Sequence, residues 1–395
     1  MADAQCRVAE GYTCDPAWHA CLIPNTAVIV PRRCTAIGQR DPAMSPVVTS
    51  AHGFDPAAEL AGDGSVVAIA ATVDGELRSV RAGKDSMFAV HGSQPALARD
   101  ARGTLYATWC NDAHAELAIS RDGGATWSPP SSVRDPGDTA CERPVIALGR
   151  DVMYIAYGAS GLRVRASRDG GRTFTTAVTA LAGSKGTLAV GGDGKLHAVA
   201  LDGSDRGGYG AAEQRVQYSV SSDGGATFAQ PRVASAPDET LPYYFAVPRI
   251  AIDNKKRWLY IAYVRGGRSG VWDLALAASK DGGATWKHVR IGDDAQCALH
   301  MTPALALDSI TGQLHVAWYD TRGGTRFARA VCTPGLATCT QLGRVSDAAF
   351  ALPVLDPQRS GEQAGLLVDE RRRVIHALWV QDGVLASASA ALPPR

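Results

Sequence analysis

Long apolar segments, aromatic side chains and net charge are all scarce in this chain of 395 residues. No run of 18 apolar residues occurs, so the sequence offers no candidate for a membrane-spanning helix. The net charge is only +1, and no bulk electrostatic field therefore favours nucleic acid or a membrane surface as a partner. Aromatic residues make up 7% of the chain while glycine occurs 42 times, a composition that favours many short strands and tight turns over helices.

Nine cysteines indicate that the protein belongs in an oxidising compartment. Four of them, Cys6, Cys14, Cys21 and Cys34, lie early in the chain among proline, glycine and polar residues. We interpret residues 1–43 as a small segment held by two disulfides, for which three connectivities are open. A zinc site is the alternative, although no Cys-x-x-Cys pair is present. The chain begins MADAQC without a recognisable signal peptide, but the cysteines favour an extracytoplasmic protein that is secreted, periplasmic or lipoprotein-anchored.

One octapeptide pattern, Ser-x-Asp-Gly-Gly-x-Thr-aromatic, occurs four times. The copies are Ser120–Trp127, Ser167–Phe174, Ser221–Phe228 and Ser279–Trp286. An aspartate followed by two glycines is typical of a tight turn, because the carboxylate accepts backbone hydrogen bonds and the glycines adopt positive φ. Repetition at this period indicates one supersecondary unit stacked on copies of itself. We therefore interpret these aspartates as structural.

The four octapeptides resemble the Asp-box of the bacterial neuraminidase repeat, which occurs in sialidases and in other β-propellers. The resemblance implies an all-β propeller of four-stranded blades, with each octapeptide in the turn between the third and fourth strands of a blade. It also implies that these turns lie on the face opposite the usual active site. The family's Phe-Arg-Ile-Pro motif is absent near the N-terminus, and we therefore do not expect a true exo-sialidase.

A second repeat sets the number of blades. Short first strands, often starting near a proline as at Gln94, Arg143 and Thr302, are followed by a turn and a second strand rich in Val, Ile, Tyr and Trp. Seven units result, at about 57–92, 94–135, 142–180, 185–236, 247–295, 302–349 and 361–395. The last unit has room for only three strands, and Met44–Ser50 is predicted to supply its fourth. We predict a seven-bladed propeller over residues 44–395, with six blades as the alternative.

The repeat also separates packing residues from candidate functional residues. His197, His315 and His376 occupy a second-strand position that is tyrosine in other blades, so we expect them to pack in the core. The loops after second strands and the connections between blades should share one face, where propellers usually bind ligands at the channel mouth.

The pairing of the remaining cysteines is predicted from this arrangement. Cys110 and Cys141 fall on the same face of adjacent blades and are predicted to form a disulfide. Cys332 and Cys339 bracket six residues and are predicted to close a hairpin. Cys297 is then the odd thiol.

A sialidase-like site is one interpretation of the candidate face. Sialidases use a tyrosine nucleophile assisted by glutamate, and three arginines hold the carboxylate of the sugar. By this resemblance the candidate arginines are Arg143, Arg249 and Arg322. The candidate tyrosines and glutamates are Tyr243, Tyr244, Tyr319, Glu142 and Glu239.

A histidine-centred site is the second interpretation. His52, His91 and His300 fall in connections between blades, and His114 follows a second strand. The segment Cys297–Met301 adds soft ligands at short spacing, which would suit copper. This pattern predicts a bound metal ion (copper, zinc or calcium) or a histidine base for a lyase.

From these patterns we predict an exported carbohydrate-active propeller, a glycan hydrolase or lyase that binds a glycan or another small acidic ligand. The predicted catalytic residues are Glu142, Tyr243, Tyr244, Asp320 and His91. The predicted substrate-binding residues are Arg143, Arg249, Arg322, Trp109 and Trp272. The predicted metal ligands are His52, His91, Cys297 and His300. The alternatives are a copper-type metal enzyme on the same face and a non-catalytic propeller that binds glycans or proteins or acts as an assembly factor; a monomer is expected.

Overall fold

Seven four-stranded antiparallel sheets form a closed ring in the computed structural model of the protein. The structure describes residues 13–15, 20–22, 38–72, 74–111, 114–138, 140–158, 161–183, 185–202, 214–237, 239, 241, 247–266, 272–291, 299–322, 324–350 and 364–394. The first strand of every sheet contacts the first strands of both neighbouring sheets, which places these seven strands around a central channel. The predicted seven-bladed propeller is confirmed.

Two short strands, β1 (Thr13–Asp15) and β2 (Ala20–Leu22), form a hairpin before the propeller. Its register places Cys14 opposite Cys21. Cys6 and Cys34 lie outside the described residues, so the disulfide pairing within residues 1–43 stays a prediction.

Each blade runs from its innermost strand outward, and blade 7 takes its outermost strand, β3 (Val48–His52), from the N-terminal side. Blade 1 contains β4 (Phe54–Leu60), β5 (Val66–Ala71), β6 (Leu77–Arg81) and β7 (Lys84–Ala89), and blade 2 contains β8 (Ser93–Arg99), β9 (Leu105–Asn111), β10 (His114–Ser120) and β11 (Ser131–Ser132). Blade 3 contains β12 (Glu142–Leu148), β13 (Met153–Gly158), β14 (Leu162–Ser167) and β15 (Val178–Leu181), and blade 4 contains β16 (Gly186–Val190), β17 (Leu196–Leu201), β18 (Val216–Ser221) and β19 (Arg232–Val233). Blade 5 contains β20 (Arg249–Asp253), β21 (Trp258–Arg265), β22 (Asp273–Ser279) and β23 (Lys287–Ile291), and blade 6 contains β24 (His300–Asp308), β25 (Gln313–Asp320), β26 (Arg326–Cys332) and β27 (Cys339–Arg344). Blade 7 contains β28 (Ala364–Asp369), β29 (Val374–Gln381), β30 (Val384–Ala391) and β3.

The two ends of the propeller meet in blade 7. Strand β3 pairs antiparallel with β30, with Val48 opposite Ser387, and Met44 bridges Ala390. The predicted closing strand from Met44–Ser50 is confirmed. This closure joins the two ends of the ring without a covalent bond, because a strand from the N-terminal side completes the sheet of the last blade.

The hydrophobic core is divided among the interfaces between blades. Trp109 of blade 2 packs edge-on against Phe88 of blade 1, with ring centroids 5.6 Å apart. Phe327 of blade 6 stacks on Trp379 of blade 7 at 5.2 Å. Strand β13 is buried along its whole length, because both faces of its sheet pack on a neighbouring blade.

The octapeptides form the turns between third and fourth strands, as predicted. In the first copy, Asp122 accepts hydrogen bonds from the backbone N–H of Thr126 (2.9 Å) and from its hydroxyl (2.5 Å). Ser120 donates to Asp122 (2.8 Å) and accepts from the N–H of Gly124 (2.8 Å). The hydroxyl and the N–H of Thr126 lower the pKa of Asp122 to about 2, since both stabilise the charged form. The other three copies make the same bonds.

Blade 6 contains a fifth turn of the same length, in which a disulfide takes the place of these hydrogen bonds. The predicted disulfide between Cys332 and Cys339 is confirmed. Gly335 and Leu336, with φ of +71° and +54°, occupy the positions of Gly123 and Gly124, with φ of +70° and +89°. The backbone path of the octapeptide is therefore kept although its serine and aspartate are missing.

The second-strand histidines are packing residues, as expected. His197 is buried and lies 2.8 Å from the hydroxyl of Tyr218, and His315 is buried with 3% exposure. Burial lowers the pKa of both histidines to about 4, because it penalises the charged imidazolium. No helix among the described residues is long and apolar enough to cross a membrane.

Candidate active site at the channel mouth

The up-and-down order of the strands gives the propeller two different faces. The mouth face carries the starts of the inner strands, the loops between second and third strands and the connections between blades. The turn face carries the octapeptide turns and the turns between first and second strands. A channel cavity of about 230 Å³ is lined by the inner strands of all seven blades. Arg249 is the one charged side chain among the described residues that line it.

Four inner strands begin with the same irregularity on the mouth face. Asp55, Gln94, Arg143 and Thr302 each precede a proline and have φ between +47° and +52°. The pairing of each inner strand with its second strand shifts at this residue, which makes it a β-bulge. A left-handed backbone is unfavourable for a residue with a Cβ before proline, and such strain is concentrated at functional sites in proteins. The bulges therefore indicate that the functional site lies at the mouth.

Polar contacts link these strand starts from one blade to the next. The backbone N–H of Arg143 donates to Gln94 Oε1 at 2.9 Å, joining blades 2 and 3. Lys185 Nζ lies 3.9 Å from Glu142 Oε1, joining blades 3 and 4, although the lysine side chain is only 1% exposed. Two further contacts run to backbone oxygens, Thr187 Oγ1 to Pro248 at 2.8 Å and Arg249 Nε to Pro303 at 3.3 Å. These contacts join the starts of five consecutive inner strands, from blade 2 to blade 6.

His300, the first residue of the sixth inner strand, belongs to a buried charged cluster. Its Nε2 lies 3.0 Å from Asp320 Oδ2, a short contact that is poorly aligned for a hydrogen bond. Arg322 binds the same carboxylate through Nε at 3.0 Å and NH2 at 2.7 Å. Burial alone would raise the pKa of Asp320, but the contacts with His300 and Arg322 outweigh it and hold the pKa below its ordinary range. Asp320 therefore stays ionised and orients its neighbours, and a proton-transfer role does not suit it in this arrangement.

The cluster continues toward blade 4 through alternating charges. Asp273 Oδ1 lies 3.7 Å from His300 Nδ1, and Asp273 Oδ2 lies 3.1 Å from Arg265 NH1. Arg265 Nε in turn lies 2.8 Å from Glu239 Oε1. Acid and base alternate along this path, which compensates the cost of burying each charge.

Tyr263 donates a hydrogen bond to Glu239 at 2.7 Å, a tyrosine–carboxylate pair that sequence analysis missed. The signal was present, since Tyr157 occupies the same second-strand position in blade 3 and donates to Asp138 at 2.6 Å. Burial, and then the charge of Glu239, raise the pKa of Tyr263. A buried tyrosine with a raised pKa is a weak nucleophile. The recurrence of the pair in two blades indicates a packing role.

The predicted site residues are placed in different surroundings. Glu142, Arg143 and Arg249 lie at the mouth. Trp109 has no exposed surface and packs between blades 1 and 2, so it would have to move to contact a substrate. Trp272 is partly buried between blades 4, 5 and 6, and its carbonyl accepts the N–H of His300. Tyr243, Tyr244 and Cys297 lie outside the described residues.

The predicted metal ligands do not come together in the described part of the chain. His52 ends the outermost strand of blade 7 and is exposed, His91 lies in an exposed connection, and His300 is buried against Asp320. The described residues contain no group of three or more His, Cys, Asp or Glu side chains that could hold a metal ion. A site that includes Cys297 stays a prediction.

The predicted disulfide between Cys110 and Cys141 is confirmed, and it lies on the mouth face. Cys110 is near the end of the second strand of blade 2, and Cys141 directly precedes Glu142 and Arg143. The bond thus fixes the chain that leads into the third inner strand.

Comparison with known proteins supports the fold. No protein-family model matches the chain, and no curated protein does. The chain is similar to a polysaccharide lyase, an ulvan lyase bound to a GlcA–Rha3S glycan, with 12% identity, 87% of this chain and 83% of that chain covered, and a TM-score of 0.53. It is similar to YCF48 bound to D1 peptide, with 13% identity, coverage of 91% and 98%, and a TM-score of 0.52. It is also similar to Trypanosoma rangeli sialidase in complex with sialic acid, with 11% identity, coverage of 89% and 59%, and a TM-score of 0.50. Identities this low show the fold alone, a β-propeller.

Proposed function

We propose that this sialidase-like propeller is an exported carbohydrate-active enzyme, a hydrolase or lyase that acts on an acidic glycan at the channel mouth. One observation carries the proposal. Three cations, Arg143, Lys185 and Arg249, stand at the starts of the consecutive inner strands of blades 3, 4 and 5, and Glu142 lies beside Lys185. Cations beside a carboxyl group suit the binding and cleavage of an anionic sugar.

The four residues would have different tasks. Arg143 and Lys185 are almost fully buried, so they would position Glu142 and the strand starts without touching the sugar directly. Arg249 is partly exposed in the channel and can bind a sugar carboxylate or sulfate directly. Glu142, whose side chain is 27% exposed, can reach a bound sugar and transfer a proton to or from it.

The two disulfides support an extracytoplasmic location. Disulfides form and persist in oxidising compartments, where polymeric glycans are also met. Recovery of the native protein from the cell exterior or the periplasm, with both disulfides formed, is the expected outcome of fractionation.

A screen of the purified protein on sialosides and on uronic-acid polysaccharides tests the activity. Hydrolysis should release reducing ends without a new double bond, whereas a lyase should give an unsaturated uronic product that absorbs in the ultraviolet. Glu142→Gln should abolish turnover of any active substrate. Arg249→Ala should weaken binding about tenfold to a hundredfold, as expected for the loss of a charge-assisted contact.

Variants on both faces locate the site. Alanine replacements at Arg143, His91 and His300 examine the mouth face, and Tyr244→Ala examines a residue that the sequence predicts there. Arg102→Ala, at an exposed cation on the turn face, is the matched control. Full activity in all four mouth variants together with a loss in a turn-face variant would show that the site has been assigned to the wrong face.

A non-catalytic binding propeller is the second candidate. The contacts of Asp320 with His300 and Arg322 favour it, since a carboxylate held ionised by its partners is a poor proton donor or acceptor. Binding of acidic glycans without any turnover, abolished by Arg249→Ala, would select this alternative over the enzyme.

A further inference from the structure

Five cationic side chains gather on the turn face where blades 5 and 6 meet. Lys255, Lys256 and Arg257 are consecutive in the turn between the first two strands of blade 5. Lys280 lies in the octapeptide turn of the same blade, and Lys287 begins its outer strand. All five are exposed. They form what is called here the basic patch.

Neutral groups hold the basic patch in place. The ammonium groups of Lys256 and Lys280 lie 4.7 and 4.4 Å from the ring centroid of Trp258, so one indole supports two cations from different turns. Lys255 Nζ donates to the carbonyl of Ser309 at 2.6 Å, and Lys287 Nζ donates to the carbonyl of Leu336 at 2.6 Å. These contacts position the charges without neutralising them.

The carboxylates nearby are engaged by other donors. Asp253 is buried and accepts the backbone N–H groups of Lys255 and Lys256. Asp281 is bonded to Thr285 and to its neighbours within the octapeptide turn. Within the described ranges, none of the five cations forms an ion pair with a carboxylate. Counted against Asp253 and Asp281, the five cations still leave a local excess of positive charge in a chain whose net charge is only +1.

We propose that the basic patch docks the protein on a membrane surface rich in anionic lipid head groups. Four of the five cations are lysines, whose compact and hydrated charges suit a diffuse anionic surface, whereas arginine is preferred for bidentate recognition of one discrete anion. All five project from turns and strand starts at one face, so they can approach a flat surface together. Each cation near such a surface contributes to binding independently of sequence-specific contacts.

Docking by this face has a consequence for orientation. The turn face and the mouth face are opposite ends of the same blades. A propeller held by the basic patch would therefore present its channel mouth to the surrounding water, where a soluble ligand can enter. The proposal does not depend on which reaction the mouth performs.

Vesicle sedimentation tests the proposal. The full chain should sediment with vesicles of phosphatidylcholine mixed with phosphatidylglycerol and should stay in solution with phosphatidylcholine alone. The triple variant Lys255→Gln, Lys256→Gln and Lys280→Gln should bind roughly a hundredfold more weakly, because each cation contributes about fivefold. Binding by the unmodified chain should also weaken as salt is raised, since the charges are exposed.

A matched control removes three exposed cations from the same face of blades 2 and 3, in the triple variant Arg102→Gln, Arg121→Gln and Arg172→Gln. It should lose at most a few-fold, because these cations are dispersed over three turns. Equal losses of vesicle binding in the two triple variants would overturn the proposal that the basic patch docks the protein on the membrane. Binding to the soluble polyanion heparin without binding to the anionic vesicles would overturn the assignment to lipid. Activity on a soluble glycan, once found, should be unchanged in the Lys255/Lys256/Lys280 variant, which separates this proposal from that for the mouth.

Discussion

His300 and Asp320 face each other across the first two strands of blade 6, with Nε2 and Oδ2 3.0 Å apart and both side chains at most 1% exposed. One is the first residue of its strand and the other is the last residue of the next, so the register of the sheet alone brings them together. Arg322 completes the cluster two residues later. The two strands of the blade thus bring His300 and Asp320 together at the mouth, and the loop that follows adds Arg322.

Removal of the Asp320 carboxylate should be costly. Asp320→Ala removes the buried carboxylate that Arg322 binds through two nitrogens, and we expect the free energy of unfolding to fall by about 3–5 kcal/mol. Urea denaturation measures it. The ion pair of Arg40 with the exposed Asp347 provides the comparison, since Asp347→Ala should cost less than about 1 kcal/mol. Unchanged stability with lost turnover would instead identify Asp320 as a catalytic residue.

The buried histidines should make the protein less stable in mild acid. His315 titrates at about 4 in the folded protein and near its ordinary value of 6.5 when unfolded. Between these values the unfolded chain takes up a proton that the folded chain does not, so stability falls as the pH falls from about 6.5 to 4, by up to about 3 kcal/mol for this residue.

His315→Leu removes the contribution of this residue. The melting temperature of the variant should therefore vary less between about pH 7 and pH 4 than that of the unmodified protein. His52→Leu changes an exposed histidine and should leave the dependence as it was. An equally steep acid dependence in His315→Leu would show that other groups cause it.

Gly283, the second glycine of its octapeptide, should not tolerate a side chain. A Cβ on Gly283 would lie 2.2 Å from Cε1 of Tyr218, and the backbone there has φ of +89°. Gly283→Ala should therefore lower the free energy of unfolding by about 2–4 kcal/mol. Gly62→Ala is the matched control, because no atom lies within 4 Å of its added Cβ and its φ is not left-handed. Similar unfolding midpoints for the two variants would contradict the packing described here.

Loss of either of the two disulfides in the described residues should lower stability, but only loss of Cys110–Cys141 should affect ligand binding. Replacing Cys110 and Cys141 by serine opens a link between residues 31 apart and should cost about 3–4 kcal/mol, against about 2–3 kcal/mol for Cys332 and Cys339, which are 7 apart. Only the first replacement should also weaken ligand binding, since Cys141 leads directly into Glu142. Ligand titration of both double variants decides the matter, and weaker binding in the second would point to function on the turn face.

The propeller architecture was predictable because the blades repeat the same sequence patterns in their strands and turns. The octapeptides mark the outer turns, the alternating second strands mark the blades, and the missing fourth strand of blade 7 points to Met44–Ser50. Cys332–Cys339 has the length of an octapeptide, but its equivalence to the octapeptide turns was not predictable from the sequence. Only the backbone angles of Gly335 and Leu336 in the folded chain reveal that equivalence.

The site was predictable only in part. The residues at inner-strand starts, such as Glu142 and Arg143, follow from the repeat. The bulges do not, because a residue before proline is ordinarily extended and the left-handed backbone of Arg143 runs against that preference. The pairing of Tyr263 with Glu239 joins a strand to a connection between blades, and no local pattern fixes how such a connection folds back.

The four bulges also determine which parts of the channel mouth can change in sequence independently of one another. Because Asp55, Gln94, Arg143 and Thr302 are aimed by the backbone of the inner ring, the loops above them can be lengthened, shortened or exchanged without dismantling the entrance. A lineage, or a protein engineer, can therefore alter what enters the channel by grafting new loops onto an unchanged rim, and can also replace the four rim side chains while leaving the loops alone.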